Sequence, residues 1–280
     1  MKRRDRIKFN ITRNWNFPGK ERLSSLLNKS YPERLGKAGI TWLAHEDIAI
    51  YTTGNSYIEW SILSNGTYED EIGKLIRISL NEGDTALDVG GNIGLQSIRM
   101  SQRVGKSGKV FAFEPLNYLQ EKFKNNLALN RANNVTLLPY ALSDTESEAE
   151  FTVDPQTWNQ GTFSLSDNQQ GAEKQLVTIK VADQLPELAP LSSLSLVKID
   201  VEGFEYQVLL GMKGLLQKHK PRIIFEYDDN YWKTTGQDIK GCHFFLTELG
   251  YTLYQIDKFG CDLVNTAEGI ESGNLFCIPR

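Results

Sequence analysis

Ala86-Leu87-Asp88-Val89-Gly90-Gly91-Asn92-Ile93-Gly94 decides the fold. An apolar run ends on an acid, enters a glycine turn and continues at helical spacing, which reads as a buried strand, a tight turn and a helix. A second apolar run, Lys109-Val110-Phe111-Ala112-Phe113, ends on Glu114, twenty residues past Gly94. A carboxylate there can accept hydrogen bonds from two ribose hydroxyls, so the pair of motifs points to a nucleoside cofactor.

The glycine spacing selects which cofactor. A dinucleotide fold needs G-x-G-x-x-G so that backbone can approach a pyrophosphate, and no frame through residues 88–96 supplies it. The pattern is D-x-G-x-x-x-G, the turn expected around S-adenosyl-L-methionine, which has an amino-acid end and a sulfonium but no phosphate. Asp88 is expected to orient the turn and face the cationic end of that cofactor. Gly90 lets the chain reverse, and Gly94 lets the next helix pack close. Asn92 is the non-glycine residue type that best tolerates positive φ. A ligand-free glycine turn is the bland alternative, and Glu114 at its spacing argues against it.

Length and composition set bounds on everything else. A chain of 280 residues can bury a full core, as one decorated domain. The net charge of −4 is spread along the chain, so no nucleic-acid face is expected. The basic start Lys2 to Arg6 reads as a solvated tail. No apolar stretch suits a signal sequence or approaches the roughly eighteen residues of a membrane span, so a soluble, cytoplasmic protein is expected. Cys242, Cys261 and Cys277 form neither a C-x-x-C pair nor an even disulfide set, which fits a reducing compartment. His45, His219 and His243 sit beside no nucleophile and show no metal-ligand spacing.

Residues 1–38 are broken by Pro18, Pro32 and Gly36 and read as an arm with one short helix near Glu21 to Leu27. Ile40 to Leu43, Ile48 to Thr52 and Tyr57 to Leu63 read as three strands of a small antiparallel cap. Ile72, Leu75, Ile76 and Leu80 recur at helical spacing ahead of the core. Strands Thr85 to Val89, Val110 to Glu114 and Val135 to Leu138 then alternate with helices through Met100 and from Leu116 to Asn130. The polar stretch Asp154 to Glu173 breaks that rhythm as a lid or insertion. Leu176 to Val181 is expected to pair antiparallel with a strand around Ala149 to Val153. Strand Leu194 to Ile199, a helix from Phe204 to Gln217, strand Arg222 to Tyr227 and a helix from Ile239 to Leu249 follow. Tyr251 to Ile256 and Asn274 to Ile278, read as an antiparallel hairpin, complete seven strands. Asp88, Glu114, Asp200 and Glu226 all fall at carboxyl ends of strands, where open α/β sheets bind ligands.

Four segments carry a resemblance: Asp88 to Gly94, Phe113-Glu114-Pro115, Ala141-Leu142-Ser143-Asp144, and Lys198-Ile199-Asp200-Val201-Glu202-Gly203-Phe204-Glu205. Over roughly residues 66–280 the chain resembles the FkbM family of S-adenosylmethionine-dependent methyltransferases, with Gly91 where that family usually has alanine. The resemblance implies an α/β fold with a Rossmann-like, seven-stranded class I methyltransferase sheet over residues 67–280. Residues 1–66 would be an N-terminal arm and small β-rich cap. It also implies O-methylation of a hydroxyl on a sugar, glycan or secondary metabolite. By the same resemblance Asp88, Gly90, Asn92 and Gly94 surround the methionine end, Glu114 with Pro115 holds the ribose, and Ala141 and Leu142 border the adenine.

Methyl transfer to an alcohol needs in-line alignment, exclusion of water and removal of the acceptor proton. Asp200, Glu202 and Glu226 are the candidate catalytic acids. Asp200 and Glu226, with Asp228, Asp229 and Asn230 beside them, are also candidate oxygen ligands for a divalent cation such as Mg²⁺. The plainer reading makes Glu202 and Glu205 first-turn helix acids and Asp228 and Asp229 a solvated loop. Tyr227, Tyr231 and Trp232, and more weakly Trp60 and Trp158, are candidates for an apolar wall against a sugar ring. Lys198 is expected to pair with an acid or to lie by the substrate. The partner is thus a small molecule or glycan, and the oligomeric state stays open. Two other function classes compete: a nicotinamide-dependent oxidoreductase, disfavoured by the glycine spacing, and a non-catalytic nucleoside-binding module. The absence of Asn-Pro-Pro-Tyr and Asp-Pro-Pro-Tyr argues against amide and base nitrogen targets, and the absence of C-x-x-x-C-x-x-C against radical chemistry.

Overall fold

A computed structural model describes residues 12–13, 39–52, 56–153, 173–257 and 259–280. The helix expected near Glu21 to Leu27, Trp158 and the polar stretch over 154–172 lie outside the described residues. Strands β1 (Gly39–Trp42) and β2 (Ala49–Thr52) pair antiparallel. The third expected cap strand is instead helix α1 (Tyr57–Asn65). Ser56 Oγ accepts the Glu59 backbone N–H at 3.3 Å, and Gly66, at φ +78°, donates its N–H to the Ile62 carbonyl. These two caps override the strand propensity of Tyr57, Ile58, Trp60 and Ile62. Helix α2 (Asp70–Ser79) buries Ile72, Leu75 and Ile76 and leaves Lys74, Arg77 and Ile78 outside. Each fully buried isoleucine contributes about 2 kcal/mol of transfer free energy.

The core follows as β3 (Thr85–Val89), α3 (Leu95–Val104), β4 (Lys109–Phe113), α4 (Asn117–Asn130) and β5 (Val135–Leu138). Strands β6 (Ala141–Leu142), β7 (Ser147–Val153) and β8 (Glu173–Lys180) leave it to form a three-stranded sheet in which β7 and β8 pair antiparallel, as expected. Next come β9 (Leu196–Ile199), α5 (Glu205–Gly211) and α6 (Lys213–His219). The single helix expected over 204–217 is therefore broken, at Met212. Gly211 approaches the Ser143 carbonyl so closely that an added Cβ would lie 2.0 Å from its oxygen. The last elements are β10 (Arg222–Tyr227), α7 (Asp229–Thr234), α8 (Ile239–Glu248), β11 (Tyr251–Ile256), β12 (Cys261–Val264) and β13 (Gly273–Pro279).

The main sheet has eight strands, in the order β12-β11-β13-β10-β9-β3-β4-β5. All seven expected strands are in it, and the eighth, β12, is an exposed edge strand antiparallel to β11. Strands β10, β9, β3, β4 and β5 run parallel. β13 inserts antiparallel between β10 and β11, so the expected antiparallel pairing with β11 is present, with β12 between the two in sequence. Strand alternation divides the core. Leu87, Val89, Phe111, Phe113, Val197 and Phe225 pack towards Val208, Leu209, Leu216 and Leu246. Ala86, Val110, Leu196 and Ile224 pack towards Ile72, Ile76, Met100 and Val104.

Side chains rather than strands attach the cap to this core. Asn126 Oδ1 accepts the Tyr51 N–H at 2.8 Å, and Asn130 bonds both backbone groups of Ala49 at 2.9 and 2.7 Å. Lys122 pairs with buried Glu59 at 2.8 Å, and Arg99 with Glu46 at 2.5 Å. Among the described residues no helix is long and apolar enough to cross a membrane.

Candidate active site

A cavity of about 420 Å³ lies along the carboxyl ends of β10, β9, β3 and β4 and reaches Ala141 and Leu142 beyond β5. Of the residues expected there from sequence, Gly90, Asn92, Glu114, Pro115, Ala141 and Leu142 line it across the β3, β4 and β6 region, and Asp200, Glu202 and Glu226 line it after β9 and β10. Asp88 and Gly94 do not. The sheet that carries Ala149, Phe151 and Ile179 supplies an apolar wall beside Ala141.

The first turn is built by close backbone approach. Gly90 and Gly91 both donate to the Phe113 carbonyl, at 3.0 and 2.9 Å. Gly90 has φ +81°, and a Cβ on it would sit 1.8 Å from the Asp200 carbonyl oxygen. Asn92 takes φ +49°, the left-handed region its residue type favours. Gly94, at φ +90°, packs on the Phe123 ring, as does Gly91; a Cβ at Gly91 would lie 2.5 Å from Phe123 Cε2. The glycine that replaces the usual alanine thus makes room for a buried phenyl ring.

Asp88 sits beneath this turn, fully buried. Its Oδ2 accepts from Ser97 Oγ at 2.5 Å and its Oδ1 lies 4.0 Å from Lys198 Nζ. The side chain therefore supports the turn from behind and does not face the cavity. Glu114 does face it, with Oε2 accepting the Asn92 N–H and Oε1 the Leu116 N–H, both at 2.9 Å. Burial pushes its carboxyl up to about 8 against those two backbone donors. Each oxygen keeps a lone pair for a hydroxyl.

At the other end, Lys198 reaches Asp200 at 2.9 Å, the acid pairing expected of it. Burial opposes the lysine's charge, but Asp200, Asp88 and Glu69 together hold its pKa above the ordinary value. Glu226 is pushed up to about 9 by burial and by the Asp200 charge, and shares a side-chain hydrogen bond with Asp200. Burial thus favours the proton of this pair on the Glu226 side of the hydrogen bond. Glu202, at φ +55°, is pushed up to about 7 by burial, then by Asp200 and Glu205, and accepts a hydrogen bond from Tyr231.

Glu205 is the first-turn helix acid expected of it, and it is not a cavity residue. It is 1% exposed, and its carboxylate accepts the Val201 N–H at 2.9 Å, the Gly203 N–H at 3.1 Å and Trp232 Nε1 at 2.8 Å. Those bonds fix the loop that presents Asp200 and Glu202. Trp232 and Tyr227 are consequently core residues and no wall for a substrate, while Tyr231 does line the cavity. Trp60 stacks on Tyr57 away from the lining. Asp228, read from sequence as part of a loop, caps α7 by accepting the Asn230 and Tyr231 N–H groups.

The metal expected at Asp200 and Glu226 is not supported. Among the described residues no group of three or more His, Cys, Asp or Glu is placed to hold an ion, and an ammonium already occupies one face of Asp200. Sequence reasoning missed Tyr68 and Glu69, which line the cavity from the segment between α1 and α2. Glu69 takes φ +48°; Gln96 Nε2 donates to its Oε2 at 2.8 Å, and Arg99 Nη1 donates to the Tyr68 and Glu69 carbonyls. Burial and Asp200 push Glu69 up to about 7. Nothing in the local sequence marks it, because its place depends on contacts with α3.

Residues 88–253 match the family described as the methyltransferase FkbM domain. The chain is 33% identical over 152 residues to the hexuronic acid methyltransferase AglP of Haloferax volcanii, covering 53% of this chain and 58% of that protein. It is 27% identical over 143 residues to methyltransferase 1 of Beauveria bassiana, covering 45% and 57%. The matched stretches thus span somewhat over half the length of these relatives. Among solved structures, methyltransferase FkbM from Methylobacillus flagellatus covers 92% of this chain and 60% of its own, at 12% identity and a TM-score of 0.44.

Proposed function

The chain belongs to the FkbM family of S-adenosylmethionine-dependent methyltransferases, and from that premise we propose that it methylates a hydroxyl of a sugar, glycan or secondary metabolite. The nicotinamide-dependent oxidoreductase alternative falls with the family. One observation carries the proposal: Glu114 and Asp200 face a single cavity whose volume suits a small ligand pair. The residues fit the donor. Gly90 brings bare backbone to the floor, Glu114 offers two acceptor oxygens, and Leu116, Leu119 and Phe151 offer an apolar slot for a heteroaromatic ring.

The donor supplies a methyl group already activated as a sulfonium. Asp200 receives the acceptor's hydroxyl proton as the new C–O bond forms and the C–S bond breaks. Lys198 donates to Asp200 and Glu226 shares a hydrogen bond with it, so both hold its carboxyl group in place for that task. Tyr57 and Tyr68, which line the cavity ahead of α2, exclude water. A sugar acceptor is supported by the name of the Haloferax volcanii relative.

Calorimetry tests the donor site. S-adenosyl-L-methionine and S-adenosylhomocysteine should bind saturably, at least tenfold more weakly in Glu114→Gln; unchanged affinity in a folded variant would remove the assignment. With labelled donor and a glycan pool, the transferred label should survive mild alkali as an ether. Release by alkali would indicate a methyl ester on a carboxylate and sink the hydroxyl reading.

A further inference from the structure

We propose that the acceptor carries an ammonium group beside the hydroxyl that is methylated, as in an amino sugar or amino alcohol, and that Glu69 receives this group. The inference rests on reading the cavity as the methyl-transfer site, and it names the class of acceptor.

Among the described residues that line the cavity there are five carboxyl groups, of Glu69, Glu114, Asp200, Glu202 and Glu226, and no lysine, arginine or histidine. Lys198, in a small cleft alongside, is 5% exposed and already matched by Asp200 at 2.9 Å and Asp88 at 4.0 Å. The methyl donor cannot balance this charge, since its sulfonium and α-ammonium are offset by its own carboxylate, leaving one net positive charge. Glu114, Glu69, Glu202 and Glu226 are pushed up to about 8, 7, 7 and 9, first by burial, which Lys198 offsets only in part at Glu69 and Glu114. A cation on the acceptor would let them ionise.

Glu69 is the member of the group best placed to choose between acceptors. It lies between α1 and α2, ahead of the residues matched by the family model. Gln96 and Arg99 fix both its carboxylate and its backbone, so its position does not depend on ligand. Tyr57, Tyr68 and Tyr231 also line the cavity, Tyr57 and Tyr68 edge to face at 6.2 Å, and aromatic rings tolerate an ammonium where aliphatic ones do not. An acceptor bearing a carboxylate would meet five carboxyl groups and, among the described residues that line the cavity, no lysine, arginine or histidine.

The test titrates glucosamine, galactosamine, ethanolamine, glucose and glucuronate into protein saturated with S-adenosylhomocysteine and follows heat. At least one amine should bind tenfold or more tightly than glucose, with glucuronate weakest. In Glu69→Gln, which keeps the oxygen that faces Gln96, that preference should shrink to threefold or less while S-adenosylhomocysteine affinity is unchanged. Glucose or glucuronate binding as well as the amines, no amine binding at all, or a preference untouched by Glu69→Gln overturns the proposal. So does Mg²⁺ binding to the same complex in place of the amines. Failure of S-adenosylhomocysteine itself to bind would instead overturn the underlying methyl-transfer reading.

Discussion

Gly90 and Asn92 share the left-handed backbone region, yet they answer substitution oppositely because of what surrounds them. Gly90 has φ +81° and backbone atoms of Asp200 where a side chain would go, so Gly90→Ala meets both strain and a collision that no rotamer relieves. We expect a loss of more than about 3 kcal/mol in chemical denaturation, with donor binding abolished. Asn92 has φ +49° and no such collision, so Asn92→Gly should stay within about 1 kcal/mol and bind donor within threefold. The acid pair at Asp200 and Glu226 can be observed without an acceptor. Infrared spectra at pH 7.5 should contain protonated carboxyl absorption, and the component that titrates near pH 9 should be lost in Glu226→Gln. A band unchanged by that substitution would place the proton elsewhere.

The loop after β9 depends on a clamp that spans three elements. Glu205 at the start of α5 holds the Val201 and Gly203 N–H groups and is itself held by Trp232 from α7. Trp232→Phe keeps an aromatic ring but leaves a buried carboxylate short of one donor, and should cost about 2 to 4 kcal/mol. Amide exchange at Val201 and Gly203 should rise at least tenfold in the variant, with donor affinity little changed. This clamp shows what the sequence does and does not disclose. The Asp88 to Gly94 turn, Glu114 and the seven main strands were legible because their signals are local: apolar runs, glycine punctuation and an acid at a strand end. Tyr57 to Leu63 misled because β-branched and aromatic residues dominate it, although Ser56, Glu59 and Gly66 already carried helix caps. Strand β12, Cys261-Asp262-Leu263-Val264 at the exposed edge, is too short to show an inside–outside alternation. Glu205 is the first-turn acid that its position implied, but its partners are distant in sequence or on the backbone and left no local signal. Glu69 was invisible for the same reason.

Across the whole molecule, several buried acids respond to pH together. Glu69, Glu202 and Glu205 are pushed up to about 7, Glu114 to about 8 and Glu226 to about 9, with burial the largest cause in each. The unfolded chain releases these protons near 4.5, so between about pH 4.5 and 9 the folded protein binds more protons than the unfolded one. The slope of unfolding free energy with pH is then negative. Stability from these groups is fully present below about pH 4.5 and is lost as pH rises through 7 to 9, the reverse of a protein held by ordinary ion-paired carboxylates. The melting temperature of the ligand-free protein should therefore fall steadily from pH 5.5 to pH 9. A cationic ligand in the cavity favours the ionised carboxyls, so S-adenosyl-L-methionine should flatten that fall more than S-adenosylhomocysteine, which lacks the sulfonium charge, at equal saturation. Scanning calorimetry across this range decides the matter: a melting temperature that rises with pH, or equal flattening by the two ligands, would mean that the cavity acids are already compensated and that charge does not couple the site to the fold.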